Sequence, residues 1–208
     1  MPRPPTANRD NTLDQTRRRL LETASAEFAR KGFADANINS ISTTAGFAKG
    51  TIYNYFPSKR ELMLTLIDEI AGCHMRFISE HVSPEKDPVR RLKQFFSAGF
   101  TFVEVYPSQA QVAINIVYGH DDEFKERIYK AYGELFSLIT EDIVKAGIDQ
   151  GVFKATDPDL AAGLLMSVYL GSSSQLDPDG KVWFDPNQVA AFVLDGMRKL
   201  DVDSGDEK

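Results

Sequence analysis

The sequence predicts an all-α chain of about nine helices. Three observations carry this. Apolar residues recur at three- and four-residue steps along almost every segment. Proline and glycine interrupt that pattern at helix-length intervals. No alternating strand of useful length and no internal repeat occurs in the 208 residues.

The elements follow in order. Leu13, Leu20, Leu21, Ala24 and Phe28 make the apolar face of a first helix. Thr12 and Gln15 suit a capping box at its start, and Gly32 is a natural stop. A short helix over Ile38 to Ala45 points Ile41 and Ala45 inward, with Asn37 as its N-cap, and Gly46 breaks it. Another short helix, Lys49 to Phe56, ends at Pro57. Ser58 opens a longer one to about residue 80, with Glu61 completing Ser-x-x-Glu. Pro84 and Pro88 precede a helix reading KQFFSAGFTFVEVY, apolar nearly all round and therefore expected inside a bundle. Pro107 precedes a helix of about 109–118. Asp122 to Gln150 reads as one long helix closed by Gly151. Asp157-Pro158 and Asp185-Pro186 each set a capping Asp before Pro, starting helices to about Ser173 and Leu200. Residues 1–12 read as a disordered or partly ordered arm, and the acidic 201–208 as a disordered tail.

Composition excludes several classes. Apolar types make up 42%, aromatic 11% and charged 26%, which rules out disorder of the whole chain. One cysteine, Cys73, cannot form an internal disulfide. The longest nearly apolar run, Leu160 to Gly171, is too short for a membrane-spanning helix of about 20 residues. The start lacks the apolar core of a signal peptide, so the expected location is cytoplasmic. His74 and His81 could share a helical face, but nothing nearby completes a metal site, and no metal or cofactor is expected. The run Asp121-Asp122-Glu123 opens a long helix, where compensation of the helix dipole explains it better than catalysis. No Ser-His-Asp ordering, phosphate loop or metalloprotease motif is evident, and no enzyme is expected.

Charge is divided along the chain. Residues 1–60 hold ten Lys/Arg and five Asp/Glu, a net of +5, and residues 61–208 carry −11, giving −6 in all. A basic head on an acidic body fits a chain whose head alone meets a polyanion. The head also holds INSISTTAGFAKGTIYNYFPSK, two short helices around a Gly-containing turn. That is a helix-turn-helix, whose second helix lies in the DNA major groove. Ile52 and Phe56 face inward, while Lys49, Gly50, Tyr53 and Asn54 fall on the opposite side. Lys49 can reach a guanine edge or a phosphate, Gly50 admits close backbone approach, and Tyr53 offers a ring to a thymine methyl. Lys59, at the next helix start, suits a phosphate.

The stretch resembles the tetracycline-repressor (TetR) family of transcriptional regulators over about residues 13–66. The resemblance rests on FARKGF at the end of the first helix, the Ile41…Ala45-Gly46 turn, Lys49-Gly50-Thr51-Ile52-Tyr53-x-Tyr55-Phe56, and Ser58-Lys59. It implies an N-terminal three-helix helix-turn-helix domain over 13–57 and a C-terminal helical ligand-binding and dimerisation domain over 58–200. It places base reading on Asn39, Lys49, Gly50 and Tyr53, and phosphate contact on Ala48, Thr51, Asn54, Tyr55 and Lys59. Ala48 stands where many members have Ser, and Asn54 where many have His. The resemblance further implies a pocket region between the fourth and eighth helices, where Phe96, Phe100, Val103, Tyr118, Tyr132, Phe136 and Tyr169 are candidates. A dimer face is implied on the last two helices: Leu164, Val168, Val189, Phe192, Val193 and Met197.

The expected function is a homodimeric repressor released from a pseudo-palindromic operator by a small apolar or amphipathic molecule. The alternative is an all-α small-molecule-binding protein or enzyme whose helix-turn-helix is incidental. The charge split favours the regulator.

Overall fold

A computed structural model describes residues 6–82 and 84–198, with side chains from residue 13 onward. The first five residues, the tail 201–208 and the helix end expected at Leu200 lie outside the described residues. The described chain is helical, and among these residues the only strand-like features are two isolated bridges, Phe153 with Arg198 and Leu176 with Val182. It forms two compact units. The first comprises residues 1–72 and 108–131, and the second 73–107 and 132–208.

In the first unit, α1 runs over Thr6–Asp35, so Thr12 lies inside the helix rather than at its start. Gly32 takes φ 73° and ψ 175°, a non-helical conformation that stops the first helical stretch at a kink, as its place in the sequence predicts, before a short continuation to Asp35. Leu20, Leu21, Ala24 and Phe28 are buried, whereas Leu13 is exposed, so the packed stripe begins later than the sequence suggests. Helix α2, Ile38–Thr44, starts as expected: Asn37 Oδ1 accepts from the amides of Asn39 at 2.9 Å and Ser40 at 3.2 Å. Buried Ser42 donates its hydroxyl to the Ala48 carbonyl at 2.7 Å, which stitches the turn.

The expected helix over Lys49 to Phe56 is instead a single 3-10 turn, Thr51–Asn54. Gly50 at φ 87° forces a break immediately before it, and Pro57 closes the segment. Too few residues remain between these breaks for a settled α-helix, and three-residue bonds such as Tyr53 N to Gly50 O take over. Helix α3, Lys59–Val82, is capped by Ser58, whose Oγ accepts from the Glu61 amide at 3.1 Å. Helices α5, Pro107–Val117, and α6, Asp122–Ala131, contribute the rest of this unit. Phe124 of α6 meets Phe33 edge-on at 4.8 Å between ring centroids. Arg60 reaches both Asp121 and Glu123, and Arg127 pairs with Asp68. The acidic run therefore does more than answer a helix dipole. Asp121 also accepts from the Phe124 amide at 3.1 Å as a cap.

The second unit is built on α4, Pro88–Val105, capped by Asp87. Leu92, Phe95, Phe96, Phe100, Phe102 and Val103 are buried, while Lys93, Ser97, Thr101, Glu104 and Val105 are exposed. The helix is thus two-faced, not buried all round. The long helix expected over 122–150 breaks into α6, α7 (Gly133–Ser137), a π-helical segment Leu138–Lys145 and α8 (Ala146–Asp149). Leu138, Ile139 and Thr140 are consecutive and all buried. A regular α-helix turns such a triplet through roughly 200°, and the wider π turn relieves that conflict. Asp157 and Asp185 cap α9, Pro158–Ser173, and α10, Pro186–Met197, in the expected Asp-Pro manner. Phe153 lies so close to Gly147 that an added Cβ would come within 2.1 Å of its ring.

Candidate nucleic-acid interface and effector core

The helix-turn-helix segment is anchored by two apolar side chains. Ile52 and Phe56 are fully buried, pinning the turn Thr51–Asn54 to the core of the first unit. Their burial leaves the opposite side outward. Asn39, Ala48, Lys49, Tyr53 and Asn54 are exposed, and Gly50, Thr51 and Tyr55 are half-buried. Tyr53 is 47% exposed, unusual for a ring of that size, while Tyr55 leans towards Phe56 at 6.5 Å between centroids. Most of the outward set therefore shares one accessible surface.

Lys59 behaves differently. Its ammonium donates to the carbonyls of Ala34 at 2.9 Å and Ala36 at 3.0 Å, and sits 4.9 Å from the centre of the Phe33 ring. The group expected on a phosphate is occupied in joining the start of α3 to the end of α1. Arg17 is likewise engaged, with Glu69 at 2.9 Å and with the Phe56 ring. Arg19 lies over the ring of Phe47 at 5.4 Å, a contact nothing in the sequence spacing signals.

The aromatic candidates of the body separate into two groups. Phe96, Phe100, Val103 and Tyr169 are buried together in the second unit, with Tyr132 half-buried beside them. Tyr118, which belongs to the first unit, is 60% exposed, and Phe136 is exposed as well. The structure does not bring these two to the buried group.

At the centre of that group is His74 of α3, which sequence reasoning weighed only as a metal ligand. It stacks on Phe102 with centroids 4.1 Å apart. Its Nδ1 faces the Tyr132 hydroxyl at 3.1 Å and its Nε2 the Tyr169 hydroxyl at 3.2 Å. Tyr169 also donates to the Gly99 carbonyl at 3.3 Å. A carbonyl can only accept, so the Tyr169 proton points to Gly99, Nε2–H donates to Tyr169, and Nδ1 accepts from Tyr132. The network fixes one tautomer of a neutral imidazole. Burial lowers the His74 pKa from 6.5 to about 3 and pushes both phenols above their ordinary value. The sequence did hold a signal: His74 falls on the stripe Ile67, Ile70, Ala71, His74, Ile78, all buried. Among the described residues, no group of three or more His, Cys, Asp or Glu is placed to hold a metal.

Helices α9 and α10 carry an apolar surface. Leu164 is 60% and Phe192 78% exposed, Val168 is exposed, and Val189, Val193 and Met197 are half-buried. A cavity of about 340 Å³ opens along this surface, lined in part by Leu164, Val168, Val193 and Met197.

Known proteins share both fold and sequence with this chain. Residues 20–66 match the model of bacterial regulatory proteins, tetR family. The HTH-type transcriptional repressor KstR2 of Mycobacterium tuberculosis is 29% identical over 200 residues, covering 90% of this chain and 95% of KstR2. The structure of the M. tuberculosis ketosteroid regulator KstR2 superposes with a TM-score of 0.68 at 25% identity, over 88% of this chain and 95% of that one. FadR of Bacillus subtilis, solved in complex with stearoyl-CoA, gives 0.74 at 20% identity, over 86% and 95%. AibR, solved with isovaleryl coenzyme A and operator DNA, gives 0.73 at 17% identity, over 88% and 98%. The helix-turn-helix with its outward Lys49, Tyr53 and Asn54 falls inside the matched residues, and this segment of the chain carries the DNA-binding domain of the TetR family of transcriptional regulators.

Proposed function

We propose that the chain is a cytoplasmic homodimeric repressor which leaves a pseudo-palindromic operator when a small apolar or amphipathic molecule enters its C-terminal domain. Residues 13–57 read DNA, and residues 58–200 bind effector and dimerise. Asn39, Lys49, Gly50 and Tyr53 meet base edges, and Ala48, Thr51, Asn54 and Tyr55 meet phosphates. Lys59 keeps one N–H for a phosphate after its two carbonyl bonds.

The observation that carries this reading is the outward surface of the helix-turn-helix. Exposed Lys49, Tyr53 and Asn54 stand on a turn locked down by buried Ile52, in a head of net charge +5. A lysine beside an exposed aromatic on a rigid support is what groove reading needs. Effector binding draws on the aromatic core around Phe96, Phe100, Val103, Tyr132 and Tyr169, and on the CoA esters held by FadR and AibR. Dimerisation draws on the exposed apolar surface of α9 and α10.

Fluorescence anisotropy on duplexes from the chain's own promoter region tests the reading. Wild-type protein should prefer one duplex over random DNA, and Tyr53→Ala should lose most of that preference. Equal affinity of wild type for all duplexes would overturn it, and turnover of a bound molecule would favour an enzyme instead.

A further inference from the structure

The Tyr169 phenol occupies a built slot. Its ring lies where a side chain at position 99 would be: a Cβ on Gly99 would sit 2.4 Å from Tyr169 Cε2 and 2.9 Å from its Oη. Glycine in the middle of α4 is therefore what admits the ring. The walls are aromatic, with ring centroids at 5.1 Å for Phe95, 6.0 Å for His74, 6.4 Å for Phe100 and 6.5 Å for Phe96. The end of the slot presents His74 Nε2–H as a donor and the Gly99 carbonyl as an acceptor to a single hydroxyl, with the buried Ser173 side chain also bonded to it.

We propose that this slot is the effector-recognition site, that Tyr169 is its built-in occupant, and that the effector is a neutral molecule bearing a hydroxylated six-membered ring, a phenol or a ring alcohol. The inference rests on the regulator reading above. The effector ring displaces the Tyr169 phenol and repeats two of its hydrogen bonds, accepting from His74 and donating to Gly99.

Chemistry at the slot end selects the hydroxyl. A hydrocarbon leaves His74 Nε2–H without a partner and leaves the Gly99 carbonyl only its backbone bond within α4. A ketone satisfies His74 alone. A carboxylate has no proton for Gly99 and buries a charge beside a neutral imidazole. Tyr132 is a positioning residue: by donating to Nδ1 it keeps the proton on Nε2, where the ligand needs it. Displacement also bears on assembly, because Tyr169 directly follows Val168 on α9, whose exposed side carries Leu164.

Calorimetry with 4-hexylphenol and hexylbenzene, which share a tail and differ by one hydroxyl, tests the proposal. Wild-type protein should bind the phenol roughly 10- to 100-fold more tightly, the range set by leaving a buried polar group unpaired. His74→Phe keeps a ring on Phe102 and should bind both compounds alike. Tyr169→Ala should bind the phenol more tightly than wild type, since no occupant must be displaced. No preference in wild type, or a preference that survives in folded His74→Phe, would overturn the proposal. If Tyr169→Ala does not fold, the wild-type and His74→Phe titrations still decide. Anisotropy on promoter DNA separates the two readings. DNA binding without a phenol preference sinks this proposal alone, and a phenol preference without any DNA binding sinks the regulator reading alone.

Discussion

A neutral histidine inside an aromatic core makes stability depend on pH, and the direction follows from its environment. The folded pKa of His74 is about 3, against 6.5 in an unfolded chain. Above pH 6.5 both states hold a neutral ring and the stabilisation is complete. Between pH 6.5 and 3 the unfolded chain takes up a proton that the folded one refuses. Stability should therefore fall as pH falls, by about 1.4 kcal/mol per unit. In urea titrations the gap between wild type and His74→Phe should narrow steadily from pH 7 to pH 5. A gap that stays constant with pH would show that His74 is not the group responsible. Two lysines give a second contrast at this scale. Lys49 is exposed, whereas Lys59 donates to two backbone carbonyls. Lys49→Ala should lower the slope of log affinity against log salt by about one at unchanged stability. Lys59→Ala should in addition cost about 1.5–3 kcal/mol of stability, the range for hydrogen bonds to a charged group. A salt slope unchanged in Lys49→Ala would show that its charge does not meet the DNA. Sequence could not tell the two lysines apart. A phosphate and a helix-end carbonyl both offer oxygen to an ammonium, and only the fold shows which oxygen is near.

At the scale of the element, the attachment of α6 to its neighbours in the first unit involves both charge and apolar contact, and magnitudes decide between them. Arg60 with Asp121 and Glu123 is partly exposed, so solvent screening leaves it worth little. Phe124 is buried against Phe33, and truncating such a ring costs about 3–5 kcal/mol. Phe124→Ala should therefore lower the urea midpoint far more than Arg60→Ala. Equal effects would mean that the ion pairs hold the helix. Local rules made much of this architecture legible. Asn37, Ser58, Asp157 and Asp185 cap helices as their spacing predicts. The same rules missed the break in the segment 122–150 and the exposed side of α4. Consecutive buried residues at 138–140 and the row Ser97, Thr101 and Glu104 reflect which neighbours pack against each helix. Periodicity within one segment carries no record of those neighbours. The outward residues of the helix-turn-helix were legible because a motif of fixed geometry sets them. The His74 network was not, since its members are separated by 58 and 95 residues.

For the whole molecule, assembly precedes switching. A lone chain would leave Leu164 and Phe192 in water, and in the proposed homodimer a second copy supplies the matching surface. Phe192→Glu should convert dimer to monomer in sedimentation and abolish operator preference, because half-sites about 34–36 Å apart need two joined heads. A wild type already monomeric would sink the two-fold arrangement. Switching then follows from linkage alone. Helix α3 supplies residues to both compact units, with its first part in the unit that holds the helix-turn-helix and His74 in the other. An effector that alters the surroundings of His74 favours one conformation of the chain by no more than its difference in affinity for the two. The operator obeys the same limit. If effector weakens operator binding by some factor, saturating operator must weaken effector binding equally, and a typical factor is about 5–150-fold. Calorimetric titration of effector into free and operator-saturated dimer should give the same ratio as anisotropy of operator with and without effector. An effector bound tightly in the second unit, yet indifferent to operator, would show that the two units act independently and that α3 transmits nothing between them.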